Sequence, residues 1–442
     1  MTSYWAEQAH LPGGITPRVR LSVDAGVITG VEAKVNPRPE DVRLDGVVLP
    51  GFANGHSHAF HRALRGRTHG NGGNFWSWRE QMYAVTARLT PETYFDLAFA
   101  VFAEMALAGF TVVGEFHYLH HAPGGKRYDA PNAMGEALIA AAELAGVRLT
   151  LLDGCYLAGG LAGTGHLPLD EVQRRFSDGD VETWAARVSW IEDTPMMRVG
   201  AAAHSVRAVP RESLGLFAEA VGDRVVHAHV SEQFGEHATA ALYYGRTPTE
   251  LLDDAGLLSP RFTAVHCNQV TATDVARLGS ASTNVCVCPT TERDLADGIG
   301  PSRPLHDAGV RLCIGSDQHA IIDPFEELRG LEMHERILTG ERGRFTPDEL
   351  LEAGTAAGYA ALGWPEGGTI EVGKLADFIA VRPDSVRTAG CRPNQLLFSA
   401  AATDVRHVVV HGEHIVEDGL HRAGDVAAHL TSALKVLREA PA

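Results

Sequence analysis

The most constraining feature of the sequence is a regular alternation of short apolar runs with helical segments through its middle part. Seven runs lie at 111–118, 148–154, 197–204, 224–230, 262–266, 283–288 and 310–317, and an eighth, 46–50, precedes them. Helical patterns lie between them, for example at 90–105, 133–145 and 247–255. Continuous apolar runs are typical of parallel strands that helices cover from outside. Eight such units predict an α/β fold with a (β/α)8 barrel of the TIM type.

The two ends of the chain have a different pattern from the middle. Residues 1–48 and the residues from 366 onward consist of short strand-like segments separated by turns. The first segment is too short to bury a core alone, so we expect the two ends to pair into one small β-sandwich beside the barrel. The predicted domains are therefore 1–48 and 366–442 for the two parts of the sandwich, the second with a helix at 425–438, and 49–365 for the barrel.

Polar side chains stand at the ends of several predicted strands. They are His56 and His58, His117 and Tyr118, His204, His229, His266 and Asp317. Because catalytic groups of (β/α)8 barrels lie at the C-terminal ends of the strands, the fold would gather these side chains at one rim.

A histidine pair at the first of these strand ends predicts a metal site. His56 and His58 are separated by one residue, which points both imidazoles to the same side of an extended strand. Imidazole nitrogen is a common ligand of zinc. His227 and His229 form a second pair, and we prefer His229 as a ligand because it is nearer the strand end, with His227 as the alternative. We expect one divalent ion per chain, zinc or else Fe²⁺ or Mn²⁺, held by His56, His58, His229 and Asp317.

Hydrolysis is the expected use of such an ion. An open coordination position lowers the pKa of bound water toward neutrality and makes hydroxide available. Asp317 can then accept the proton of the water, and Glu232 can carry it to a leaving nitrogen. His266 can polarise the susceptible centre or hold the hydroxide. Taken singly, His266 could be a core histidine and Asp317 the cap of a turn. Their joint location at strand ends favours a catalytic site.

The composition excludes several classes of function. With a formal net charge of −17 at pH 7, the chain lacks the basic character of proteins that bind nucleic acids or anionic membranes. The six cysteines lie mostly in apolar runs, which is typical of reduced, buried thiols. The first residues show no basic segment followed by an apolar run, so we expect no signal peptide and a cytoplasmic protein.

These residues together resemble the amidohydrolase superfamily, in its mononuclear deaminase branch. The resemblance rests on the motif 50–58, the step from His229 to Glu232, His266 and the Gly-Ser-Asp sequence 315–317, and it covers nearly the whole chain. It implies the barrel, the split β-sandwich, a single metal ion and a homodimer. Binuclear members carry a carboxylated lysine at the fourth strand, and none of the lysines at 34, 126, 374 and 435 lies near such a strand end.

Four further motifs resemble one family within that superfamily, the N-formimidoyl-L-glutamate deiminases. They are 74–83, 114–118, 203–207 and 288–298. That family, which acts in histidine degradation, hydrolyses the formimidoyl C=N group to release ammonia and N-formyl-L-glutamate. The resemblance implies a small dicarboxylate substrate, which arginines suit because they grip carboxylates with paired hydrogen bonds. The substrate-binding residues that it implies are His61, Arg79, Tyr118, His204 and Arg207.

Two positions depart from the pattern of that family. His61 stands where a glutamine is expected, and Gln318 stands where a serine is usual. Both departures concern the identity of the substrate, so two alternatives stay open. A deaminase of an aromatic base or a triazine on the same scaffold would need side chains that stack on the ring and amide side chains that hydrogen-bond to it, rather than two arginines. A non-catalytic metal-binding barrel would have no use for a proton carrier such as Glu232.

Overall fold

The computed structural model describes residues 1–69 and 75–439, without the side chains of residues 75–77. The first residue of the motif 74–83 therefore lies outside the described residues. The strands are β1 Thr2–Leu11, β2 Gly14–Asp24, β3 Val27–Glu32, β4 Val42–Pro50, β5 Phe52–Ser57, β6 Phe110–His117, β7 Arg148–Cys155, β8 Gly160–Ala162, β9 Gly165–Leu167, β10 Met197–Ala203, β11 Val226–Val230, β12 Phe262–His266, β13 Asn284–Val287, β14 Arg311–Ile314, β15 Phe378–Val381, β16 Val405–Val410, β17 Glu413–Glu417 and β18 Leu420–His421.

The α-helices are α1 Phe75–Thr86, α2 Pro91–Ala108, α3 Ala133–Ala145, α4 Val181–Val188, α5 Arg211–Ala220, α6 Phe234–Tyr244, α7 Pro248–Asp254, α8 Ala272–Ser280, α9 Pro289–Asp294, α10 Ser302–Asp307, α11 Pro324–Thr339, α12 Pro347–Gly354, α13 Ala356–Ala361 and α14 Val426–Glu439. Short 3-10 helices lie at Ala59–Leu64, Pro123–Gly125, Gln173–Phe176, Pro393–Phe398 and Ala402–Asp404. No helix in these described ranges is both long and apolar enough to cross a membrane.

Eight strands form a parallel barrel, in the order β5, β6, β7, β10, β11, β12, β13 and β14. The last strand returns to the first through a parallel bridge between Ser57 and Asp317. Asp317 N–H donates to the His56 carbonyl oxygen over 3.0 Å, and His58 N–H donates to the Asp317 carbonyl oxygen over 3.1 Å. The predicted (β/α)8 barrel is confirmed. We call these contacts between residues 56–58 and Asp317 the closing seam.

The local sequence explains where the barrel helices begin and end. In α2, the Thr90 hydroxyl accepts the Thr93 N–H over 3.3 Å and Pro91 occupies the first turn, as is typical of a capped helix start. Gly109 ends the helix with a φ of 100°, a left-handed conformation that glycine adopts without strain. Most alanines and phenylalanines of α2 are buried, and the helix packs on α3 and α14. Capping therefore fixes this helix at both ends, and burial fixes it along its length.

Both ends of the chain join in a second sheet, as predicted. Its strands follow the order β18, β17, β16, β15, β4, β1, β2 and β3. The sheet curls, because Ile28 N–H donates to the Lys374 carbonyl oxygen over 2.9 Å and Ala376 N–H donates to that of Gly26 over 2.8 Å. Apolar side chains from both ends, including Leu21 and Phe378, form a core within this curl.

One strand assignment from the sequence was wrong. The apolar run 46–50 was assigned to the first barrel strand, but it belongs to β4, which pairs with β1 and β15 in the second sheet. The first barrel strand is β5, whose sequence from Phe52 to Ser57 is much less apolar. Gly51 separates the two strands, and a Cβ atom there would lie only 2.2 Å from the Thr111 hydroxyl. The chain therefore passes from the sheet into the barrel at a point where only glycine fits.

Candidate active site and metal centre

Four side chains from the strand ends converge on one point. His229 Nε2 lies 3.2 Å from His56 Nε2 and 3.3 Å from His58 Nε2. Asp317 Oδ1 lies 3.4 Å from His56 Nε2 and 3.5 Å from His58 Nε2. All four side chains are buried. The structure therefore brings together every member of the predicted ligand set.

The tautomers of two of these histidines fit a cation between them. His58 Nδ1 lies 2.9 Å from the Phe116 carbonyl oxygen, and His229 Nδ1 lies 2.8 Å from that of His204. Because a carbonyl oxygen only accepts, each Nδ1 carries the proton and each Nε2 presents a lone pair. Two facing lone pairs repel unless a cation lies between them. Tetrahedral zinc would hold its ligand atoms about 3.3 Å apart, which is close to the four distances of 3.2 to 3.5 Å given above.

The electrostatic environment also suits metal ligands. Burial lowers the pKa of His56, His58 and His229 below the ordinary range of histidine. The three imidazoles are therefore neutral near pH 7, which is the form that binds a metal.

His227, the alternative ligand, has a different partner. Its Nε2 lies 3.0 Å from the carbonyl oxygen of Ala361 in α13. That contact requires the proton to be on Nε2, so this nitrogen has no lone pair to offer a metal. The geometry therefore favours His229 over His227.

The predicted proton-transfer groups stand beside the ligand set. His266 Nε2 lies 3.8 Å from Asp317 Oδ2 and 4.0 Å from Glu232 Oε1. Asp317 therefore presents one oxygen to the histidine ligands and the other to His266. Burial lowers the pKa of His266, but the carboxylates of Glu232, Glu292 and Asp317 outweigh it and raise that pKa to about 10. His266 is thus a cationic hydrogen-bond donor near neutral pH.

Glu292 supports His266 from behind and was not anticipated from the sequence. Its Oε1 lies 3.5 Å from His266 Nδ1 and accepts the Cys288 N–H over 2.8 Å. Both His266 and Glu292 are buried. Glu292 therefore holds the imidazole from the side opposite Glu232 and Asp317. Its location in the matched motif 288–298 was a cue, but no pattern in that motif indicated a contact with His266.

The backbone at these residues is strained. Ser231, which precedes Glu232, has a φ of 50°, His266 has a φ of 74°, and Asp317 has a φ of 43°. Residues other than glycine rarely adopt positive φ, and such strain collects at functional sites. Each proton-transfer candidate thus lies at or beside a left-handed residue.

A cavity of about 200 Å³ opens onto the ligand set. It is smaller than the 300 to 1,000 Å³ that is typical of sites for drug-sized ligands, so it suits a small metabolite. All five predicted substrate-binding residues line it, namely His61, Arg79, Tyr118, His204 and Arg207. Aromatic side chains form much of the rest of the wall, including Trp78, Tyr83, Tyr156 and Phe176.

Arg207 stands at the reacting end of this cavity. Its Nη2 lies 3.6 Å from Glu232 Oε2, and its Nε lies 3.5 Å from Glu236 Oε1. Glu236 also accepts the Glu232 N–H over 3.2 Å. Burial raises the pKa of Glu236 despite the neighbouring Arg207. Glu236, which the sequence did not single out, thus connects the predicted carboxylate receptor to the predicted proton carrier.

Arg79 belongs to a hydrogen-bonded group on another part of the wall. Its Nε donates to the Tyr83 hydroxyl over 2.8 Å, and its Nη2 donates to the same oxygen over 2.5 Å. Gln173 Nε2 donates to the hydroxyls of Tyr83 over 3.0 Å and Tyr156 over 3.1 Å. Tyr83 lay in a matched motif. Tyr156 directly follows β7 but was not singled out, and Gln173 had no sequence cue because it lies on a short 3-10 helix.

The remaining predicted contacts form the floor of the cavity. His61 Nε2 lies 3.2 Å from the Tyr118 hydroxyl, and the ring of His204 lies 5.2 Å from that of Tyr118. Gln318, the second departure from the family pattern, donates from Nε2 to Asp294 Oδ2 over 2.7 Å. His61 and Gln318 therefore both line the cavity, and each has a protein partner there.

Comparison with known proteins identifies the family. A model of the amidohydrolase family matches residues 47–415. The chain is 34% identical to formimidoylglutamate deiminase of Pseudomonas aeruginosa over 97% of each protein. It is 30% identical to 8-oxoguanine deaminase of the same organism, over 86% of this chain and 85% of that protein. A crystal structure of an amidohydrolase from Brucella melitensis, 33% identical, has a TM-score of 0.92 and covers 99% of this chain and 100% of that chain.

The fold, the buried ligand set and these similarities agree. The chain belongs to the amidohydrolase family, and it is a hydrolase that acts on C–N bonds other than peptide bonds.

Proposed function

We propose that this hydrolase converts N-formimidoyl-L-glutamate and water into N-formyl-L-glutamate and ammonia. The observation that carries the proposal is the pair of arginines, Arg79 and Arg207, in the same small cavity as the ligand set. A substrate with two carboxylates needs two such cations, because the protein as a whole is strongly acidic. The similarity to formimidoylglutamate deiminase over nearly the full length supports the same substrate.

Zinc, when it is bound, supplies Lewis acidity, which makes a water molecule nucleophilic near neutral pH. Side chains of the protein transfer the protons. Asp317 Oδ2 takes the proton of the attacking water, and the cationic His266, 3.8 Å away, stabilises the negative charge that develops beside it. Glu232 carries a proton to the nitrogen that leaves as ammonia. Collapse of the tetrahedral carbon then breaks the C–N bond and leaves the formyl group.

A deaminase of an aromatic base is the second candidate, and two observations favour it. The cavity wall is rich in aromatic side chains, and the chain is also similar to an 8-oxoguanine deaminase. A neutral base, however, would leave the guanidinium groups of Arg79 and Arg207 without an anionic partner from the ligand. The arginines therefore favour the dicarboxylate.

Ammonia release by the zinc-loaded protein tests the two candidates. We expect rapid release from N-formimidoyl-L-glutamate and at least about 100-fold lower kcat/KM with N-formimidoyl-glycine, because losing the second carboxylate forfeits charged hydrogen bonds. Guanine, 8-oxoguanine and cytosine should give none. Release from a base but not from formimidoylglutamate would contradict the proposal. Tight binding of formimidoylglutamate without any ammonia would instead support a non-catalytic barrel.

A further inference from the structure

Two tyrosines in the cavity have hydroxyl protons that no described residue accepts. The Tyr83 hydroxyl oxygen accepts hydrogen bonds from Arg79 Nε, Arg79 Nη2 and Gln173 Nε2. Guanidinium and amide N–H groups only donate, so the oxygen acts as the acceptor, with its two lone pairs shared among the three N–H groups. Among residues 1–69 and 75–439, leaving aside the side chains of 75–77, no group accepts its own O–H proton.

Tyr156 is in the same situation. Its hydroxyl oxygen accepts a hydrogen bond from Gln173 Nε2 over 3.1 Å. In the described part of the chain, no group accepts the proton of this hydroxyl. The orientation of the Gln173 amide is fixed, because its Oε1 accepts the Asp170 N–H over 2.9 Å and its Nε2 also donates to the Gly159 carbonyl oxygen over 2.9 Å. Gln173 is buried, so the amide is held in this direction. Both phenol protons are thus left for a partner in the cavity.

The two hydroxyls remain protonated donors at neutral pH. Burial raises the pKa of Tyr83 and of Tyr156, although the nearby arginines oppose it. Two O–H donors and the Arg79 guanidinium lie side by side. A carboxylate would bind to these donors better than a neutral acceptor would.

We propose that Tyr83 and Tyr156, oriented by Gln173, donate to the substrate carboxylate that lies farther from the reacting carbon, together with Arg79. This inference rests on the proposed function and assigns each arginine its carboxylate. Arg207 contacts Glu232, the proton carrier, so it receives the α-carboxylate, which is joined through Cα to the formimidoyl nitrogen. The side-chain carboxylate lies two methylenes farther away. Neither Tyr83 nor Gln173 contacts Glu232 or the histidine ligands among the described hydrogen bonds, which agrees with a distal subsite.

Calorimetric titration of the zinc-loaded protein with two product analogues tests this subsite. N-formyl-L-glutamate carries the distal carboxylate, and N-formyl-L-glutamine replaces it with a neutral amide of the same shape. We expect the wild type to prefer the glutamate compound. Tyr83→Phe and Tyr156→Phe should each weaken its binding about tenfold or more, while binding of the glutamine compound stays the same. Gln173→Glu should abolish the preference, because the tyrosines would donate to the new carboxylate.

Tyr4→Phe is the matched control. It also removes a buried hydroxyl, which donates to the Gly412 carbonyl oxygen over 2.9 Å, but it lies in the second sheet and should leave the preference unchanged. A wild type without preference, or a preference that survives in both cavity variants, would overturn the subsite. Ammonia release from formimidoylglutamate decides the proposed function separately. A protein that shows the expected preference without releasing ammonia would keep the subsite and lose the function.

Discussion

Replacement of Glu232 by glutamine is expected to lower kcat for formimidoylglutamate by about 10² to 10⁴-fold. The amide has the shape of the carboxylate but cannot accept a proton and pass it to the leaving nitrogen. Glu232 is not a member of the ligand set, and its Oε1 lies 4.0 Å from His266 Nε2. Zinc content should therefore remain at one ion per chain. Steady-state kinetics and elemental analysis of the same preparation measure both quantities.

Glu236→Gln is the matched control for this prediction. Glu236 is also buried and also faces Arg207, but among the described ion pairs it is Glu232 that lies beside His266. Loss of its charge should change how Arg207 holds the substrate, so KM should rise more than kcat falls. Equal losses of kcat in both variants would mean that Glu232 acts through the charge balance around Arg207 and not as the proton carrier.

Replacement of His229 by alanine is expected to remove the metal and to lower turnover by about 10³-fold or more. The substitution takes one of the three imidazoles from a ligand set in which His229 Nε2 lies 3.2 Å from His56 Nε2 and 3.3 Å from His58 Nε2. His227→Ala, two residues earlier on the same strand, should keep the metal, because that side chain bonds to Ala361. It should only lower the melting temperature, since it leaves a cavity in the barrel.

Zinc titration of the two apo variants, followed by thermal unfolding with and without the metal, checks this pair. Zinc should raise the melting temperature of His227→Ala and leave that of His229→Ala nearly unchanged, because only bound ligand stabilises the folded state. The opposite pattern would assign the ligand to His227.

The sequence predicted the barrel well because its strands are buried on both faces. The runs 148–154 and 262–266 coincide with β7 and β12 to within one residue. The sequence failed at 46–50, because apolar strands of the two sheets look alike and the true first barrel strand, β5, contains small and polar residues. The bounds of a single strand could be predicted from its own residues. The sheet to which a strand belongs depends on distant partners such as β15.

The candidate site could be predicted only where strand ends supply its residues. The choice between His227 and His229 needed Ala361, which is far away in the chain. Glu236 and Glu292 were not singled out because an acidic residue on a helix usually faces solvent. Gln173 was not found because its importance lies in which way its amide points, and no sequence pattern reports that.

The closing seam has a consequence for how the molecule is held together. Two of the predicted histidine ligands and the predicted aspartate ligand belong to the segments that join the first and last barrel strands. A metal bound there would connect these two segments in the folded protein only, because its ligands separate when the chain unfolds. It would therefore stabilise the folded state by its binding free energy. Amide hydrogens of β5 and β14 should consequently exchange with solvent earliest when the metal is withdrawn. The catalytic ion would thus also stabilise the contact between the first and last barrel strands.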